Sequence, residues 1–123
     1  MKTLALLLAL ALSGAISGLA HAQDPQAGCL ADRYGNVVCG PADSRCLKDL
    51  YGDVKCSSAG GDIMLDRYKT PVCGAGRCIL DRYGDVVCSR VARGAAAIDI
   101  HGDAVCTEGC MKATSAACVA PST

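Results

Sequence analysis

Apolar residues in this chain come in threes and fours on either side of short polar turns. The clearest case is Cys78-Ile-Leu-Asp-Arg-Tyr-Gly-Asp-Val-Val-Cys88. Asp81-Arg82-Tyr83-Gly84 has Asp at the first and Gly at the fourth position of a type I turn. Such a turn, followed by a left-handed Gly, makes a three-residue hairpin loop with a bulge. With Arg82, Tyr83 and Gly84 as the loop, Asp81 faces Asp85, Leu80 faces Val86, Ile79 faces Val87 and Cys78 faces Cys88. Directly opposed antiparallel residues have Cα atoms about 4.5 or 5.5 Å apart, and a disulfide spans either distance. The stretch predicts a β-hairpin clamped at its open end.

The same pattern recurs along the chain. Copies begin at Cys29, Cys46, Ile63, Cys78 and Ala96 and close at Cys39, Cys56, Cys73, Cys88 and Cys106, a period near 17. This internal repeat is the strongest signal present. Copy three has Lys69 in place of the turn Gly, where a residue with a Cβ pays for the left-handed conformation. Its Pro71 removes a ladder donor and suits only an edge. Copy five keeps Gly102 but has His101 in place of Tyr, and copies three and five lack the opening Cys. In each hairpin one face carries the cysteines with Ala31 and Val37, or Leu80 and Val86; the other carries Leu30 and Val38, or Ile79 and Val87. Both faces are apolar and a lone hairpin is marginal, so neighbours must cover both. The predicted fold is all-β, small and disulfide-rich, with about five short hairpins in an antiparallel meander or a stacked ladder.

The start of the chain has a different character. Met1-Lys2, the apolar run Leu4 to Leu12 and the small-x-small site Ala20-His21-Ala22 predict a secretory signal peptide over 1–22. No cysteine follows at a lipoprotein position, so release without a membrane anchor is expected. The domain plan is then a signal peptide (1–22), a flexible lead (23–28), a hairpin-repeat domain (29–118) and a tail (119–123). Without Lys2 the mature chain carries eleven Lys/Arg against twelve Asp/Glu. That balance argues against nucleic acid or a membrane surface as partner. Ten cysteines with no Phe or Trp, in an exported chain, read as a disulfide framework in a periplasmic or extracellular protein. Each eleven-residue loop contributes roughly 2.8 kcal/mol in the chain-entropy account, and three contribute about 8 kcal/mol, comparable with the whole stability of a typical domain.

Register predicts the bridges Cys29–Cys39, Cys46–Cys56 and Cys78–Cys88. Of the remaining four cysteines, Cys73 and Cys106 hold equivalent hairpin positions, so the expected pairing is Cys73–Cys106 with Cys110–Cys118. A Cys106–Cys110 bridge would close a very tight ring. The alternative is a zinc or copper site made of Cys73, Cys106, Cys110 and Cys118, for which Cys106-x3-Cys110 has acceptable spacing. There is no Cys-x-x-Cys, and His101 is the one histidine left after cleavage. Redox exchange and triad chemistry are therefore not expected. The pairs Asp32/Asn36, Asp49/Asp53, Asp81/Asp85 and Asp99/Asp103 could bind calcium only with ligands that no acidic loop supplies. They read instead as a turn cap beside a solvated residue.

The turn tips carry Arg33-Tyr34, Leu50-Tyr51, Arg67-Tyr68 and Arg82-Tyr83, so all four tyrosines share one position. Rigid amphipathic rings in a row suit a glycan or protein partner. The simpler reading lays each ring over its own hairpin, because a repeat copies structural residues regardless of function. Hairpin repeats containing Gly and Tyr, of similar length, occur in surface proteins that bind cell-wall carbohydrate. The chain resembles them in general plan but lacks their Trp-rich strands, and no family is assigned. The sequence supports a non-catalytic structural or binding module with no cofactor. Its candidate contact residues are Tyr34, Tyr51, Tyr68, Tyr83, Arg33, Arg67 and Arg82.

Overall fold

A computed structural model describes residues 25–123. The expected signal peptide, its cleavage site and the first two residues of the lead lie outside the described residues. Five hairpins follow in chain order: β2 (Cys29–Ala31) with β3 (Val37–Cys39), β4 (Arg45–Lys48) with β5 (Val54–Cys56), and β6 (Asp62–Leu65) with β7 (Pro71–Gly74). The last two are β8 (Cys78–Leu80) with β9 (Val86–Ser89), and β10 (Ala96–Ile98) with β11 (Ala104–Cys106). In the fourth hairpin Cys78 opposes Cys88, Ile79 opposes Val87 and Leu80 opposes Val86. At its turn the Gly84 amide donates to the Asp81 carbonyl at 3.1 Å, and Gly84 has φ +80°. That is a type I turn followed by a left-handed glycine.

No hydrogen-bonded ladder joins one hairpin to the next; each belongs to a separate small sheet. The architecture is therefore a stack, and the packing explains it. The Leu30/Val38 face of hairpin one rests on Cys46, Val54 and Cys56 of hairpin two. Leu47 of hairpin two rests on Ile63, Leu65 and Cys73 of hairpin three. Met64 and Val72 of hairpin three rest on Cys78, Val86 and Cys88 of hairpin four. Each hairpin thus lays its aliphatic face on the cysteine face of the next, and β10 and β11 continue the order against β8 and β9. The cysteine sulfurs are core atoms as well as cross-links.

Two further segments lock the stack. β1 (Gln26–Ala27) adds to the outer edge of β4, so part of the lead expected to be loose is a strand. β12 (Cys110–Lys112) adds to β9, and the chain then runs back across the closing strands in reverse order. Thr114 bridges Cys73, Val119 bridges Cys56 and Ser122 bridges Cys39, each through a reciprocal pair of backbone hydrogen bonds of 2.8–3.2 Å. The expected tail at 119–123 is in fact the far half of this strap. A bound edge strand also removes the exposed donors and acceptors that invite aggregation.

Cys29–Cys39, Cys46–Cys56 and Cys78–Cys88 are bridged within their hairpins, with Cα atoms 3.9–4.0 Å apart. The other four cysteines are not paired as the sequence suggested. The bonds are Cys73–Cys118 and Cys106–Cys110, in place of Cys73–Cys106 and Cys110–Cys118. Two physical facts decide this. Hairpin four lies between hairpins three and five, so equivalent positions on those two never meet, whereas the strap delivers Cys118 to Cys73. The tight ring is accommodated because Glu108 (φ +61°) and Gly109 (φ +93°) reverse the chain within three residues, bringing the Cys106 and Cys110 Cα atoms to 5.0 Å. In the chain-entropy account the long loop closed by Cys73–Cys118 contributes about 4 kcal/mol, the most of the five. Non-reducing peptide mapping should recover Cys73–Cys118 and Cys106–Cys110 peptides.

Gly74, just after a closing cysteine, sits where a Cβ would overlap Cβ and Sγ of Cys88 in the next hairpin. Gly40 holds the same place against Cys56, whose Cβ would lie 2.7 Å away. Gly74→Ala should therefore cost about 2 kcal/mol through overpacking. Lys69→Gly should gain about 1 kcal/mol, because Lys69 holds φ +65° at the turn. Urea denaturation with the disulfides intact measures both.

Candidate functional site

The tips form one edge of the stack, and the first Asp of each copy builds them. Its Oδ1 accepts two turn amides: from Tyr34 and Asn36 on Asp32, Tyr51 and Asp53 on Asp49, and Tyr68 and Thr70 on Asp66. Asp81 and Asp99 do the same for Tyr83 and Asp85, and for His101 and Asp103, all at 2.8–2.9 Å. With these carboxylates committed to their own turns, the residue between them is carried outward. Tyr34, Tyr51, Tyr68 and Tyr83 are 76%, 75%, 76% and 70% exposed, so little of each ring is covered by its own strands.

The second acidic position is not a free solvated residue. Arg33 pairs with Asp53 at 3.0 Å, Arg67 pairs with Asp85, and Arg82 pairs with Asp103. Each arginine reaches from one tip to the next, and Arg67 and Arg82 also donate to the Tyr83 and His101 carbonyls at 3.1 and 3.4 Å. The guanidinium carbons of Arg33 and Arg82 lie 5.3 and 5.5 Å from the centroids of the neighbouring Tyr34 and Tyr83 rings, within cation–π range. The candidate arginines therefore space and orient the tips, and the tyrosines are the side chains presented outward.

Sequence reasoning missed these rungs, although the signal was there. Arg stands at the first tip position in copies one, three and four; the partner Asp stands after the turn in copies two, four and five. Asn36 in the first copy has no preceding tip to answer, and Ile100 in the last has no following one. A second missed residue is Asp62, buried on the opposite edge. It accepts from Arg45 at 3.1 Å, from the Cys78 amide at 3.0 Å and from the Ile63 amide at 2.9 Å, tying three hairpins together.

At the tip edge the clefts between neighbours differ in size. The cleft between tips one and two holds 220 Å³, that between two and three 460 Å³, and that between three and four 80 Å³. The largest is lined by Leu50, Tyr51, Lys55, Tyr68, Lys69, Thr70 and Pro71, with Cys118 and Val119 of the strap behind.

The thiolate metal site is overturned. Cys73, Cys106, Cys110 and Cys118 are all in disulfides, and among the described residues no cluster of three or more His, Cys, Asp or Glu is placed to hold a metal ion. No helix among the described residues is long and apolar enough to cross a membrane. No family model matches the chain, and neither a curated protein nor a solved structure matches it. Fold and site together define a small disulfide-stapled stack of β-hairpins with a row of tyrosine tips.

The tip geometry separates two kinds of contact. Asp81→Ala leaves two turn amides without their acceptor and should cost about 1–2 kcal/mol. Arg82→Ala breaks an exposed pair and should cost under about 1 kcal/mol, vanishing in high salt. Thermal unfolding of both variants at low and high ionic strength makes the comparison.

Proposed function

We propose that this protein is an exported binding module, without catalytic activity, that holds a glycan or protein surface against its row of tyrosine tips. One observation carries the reading: four tyrosines at one repeat position stand mostly exposed along a single edge. Three of the four junctions on that edge are braced by ion pairs. Rings held by rigid turns lose little conformational freedom on binding, which favours them as contact residues. The five disulfides, with no free cysteine among the described residues, fit an oxidising compartment, either the periplasm or the outside of the cell.

Two measurements test this. Protein from a native-type host should begin at Gln23 on N-terminal sequencing; Met1 at that end would remove the compartment argument. Replacing Tyr34, Tyr51, Tyr68 and Tyr83 together by Ala should abolish retention on insoluble cell-wall polysaccharides or immobilised surface protein, with the thermal transition kept. If the quadruple variant instead loses its transition, the rings are scaffold and the reading fails.

A further inference from the structure

Five departures from the repeat meet at the junction between hairpins two and three. Its rung is missing at both ends, because Leu50 stands where the other inner copies have Arg and Thr70 where the partner Asp belongs. Lys69 replaces the turn Gly, and Pro71 and Lys55 each replace a Val of the closing strand. Leu50, Lys55, Lys69, Thr70 and Pro71 all line the 460 Å³ cleft. The strap departs from regularity at the same level. Its bridges to hairpins four, three, two and one fall at Met111, Thr114, Val119 and Ser122, and the longest interval holds the 3-10 turn Ser115–Ala117. That turn and the following residues wall the back of the cleft, and Cys73–Cys118 fixes it there.

The chemistry of the lining narrows the ligand. Tyr51 and Tyr68 flank the opening with exposed rings, and Lys55 and Lys69 form no ion pair among the described residues. Asp49 is the lone carboxylate of the lining, and its Oδ1 already accepts the Tyr51 and Asp53 amides. The cleft therefore favours an anion. The turn amides of Tyr51, Gly52, Asp53, Tyr68, Lys69 and Thr70 are all consumed by Asp49 or Asp66. A peptide would find none of these turn donors for strand addition, which leaves the lining side chains, with the Tyr51 and Tyr68 rings and the Lys55 and Lys69 ammonium groups foremost among them, to make the contacts. A sugar ring offers an apolar C–H face to stack and, when oxidised at its terminal carbon, a carboxylate to pair. The volume lies within the roughly 300–1,000 Å³ usual for a ligand site.

We propose that the cleft between the second and third tips binds a uronate-containing sugar chain, stacked on Tyr51 and Tyr68 with its carboxylates on Lys55 and Lys69. This rests on the tip-row reading and gives that row its one selective site.

Calorimetric titration with a short oligogalacturonate tests it, beside a neutral oligosaccharide of equal length and an oligoglutamate peptide. The oligouronate should bind with an affinity that falls with added salt, and the two controls should bind weakly or not at all. Lys55→Gln and Lys69→Gly should each lose about tenfold, as expected for a hydrogen bond to a charged group. Leu50→Arg with Thr70→Asp restores the rung across the cleft and should abolish binding while retaining the thermal transition. If that double variant fails to fold, the two lysine variants decide alone. Arg90→Gln, which removes an exposed cation on the link after the fourth hairpin and away from the cleft, should leave oligouronate affinity unchanged. Equal binding of oligoglutamate, or oligouronate binding indifferent to the lysine variants, would overturn the assignment. So would absence of oligouronate binding, and if polysaccharide retention is then still lost in the quadruple tyrosine variant, the tip-row reading survives without it.

Discussion

An eleven-residue hairpin that is apolar on both faces has to be covered twice, and everything else in this molecule answers that constraint. A sandwich would satisfy it with two large sheets, but strands of three or four residues are too short to build them. Stacking satisfies it repeatedly, because each aliphatic face finds the cysteine face of its successor. Two of the three hairpin disulfides serve twice in this arrangement. All three close their own loops, which restricts the unfolded chain, and Cys46–Cys56 and Cys78–Cys88 also present sulfur and Cβ atoms as the floor on which the preceding hairpin rests. Phe and Trp are then unnecessary. Their bulk would hold the hairpins apart where Gly40 and Gly74 bring backbone onto the next disulfide.

Stacking alone leaves the closing strands with open edges and each junction held only by its own small cluster. The strap resolves both problems. By running antiparallel to the order of the hairpins it hydrogen-bonds to four of them in turn, converting local contacts into one long-range unit. Its anchor, Cys73–Cys118, is the one bridge joining residues more than ten apart in sequence. Copy three lacks an opening cysteine because its closing cysteine has this other duty. The same logic covers copy five, where Cys106 pairs forward into the turn that launches the strap.

What was legible in the sequence follows from range. The hairpin, its register and its turn are decided within eleven residues, where propensity, alternation and glycine placement agree. That both faces need cover was also readable, but not how, since a meander and a stack put the same residues inside. The pairing of Cys73 failed for a long-range reason: residues 110–123 carry no hairpin pattern, so nothing local announced a strand crossing four others. The rungs failed differently. Arg33, Arg67 and Arg82 were noticed for their chemistry, and Asp53, Asp85 and Asp103 for their nearness to a turn Asp, but the offset of one copy between them went unread. That offset encodes the order of stacking, because an arginine finds its carboxylate only on the next hairpin.

These rungs are too exposed to account for stability; pairs with both partners about half exposed contribute at most about 1 kcal/mol each. Their effect is positional. A guanidinium fixed to the next turn ties two tips together, and the two braced clefts hold 220 and 80 Å³ against 460 Å³ at the unbraced junction. Removing a rung therefore costs the fold little and opens a cleft bounded by two tyrosines. A repeat architecture offers this freedom at any junction, since neighbouring copies contact only each other. Here it is used once, at mid-stack, where the longest-range disulfide keeps the strap behind the opening and the two halves from parting.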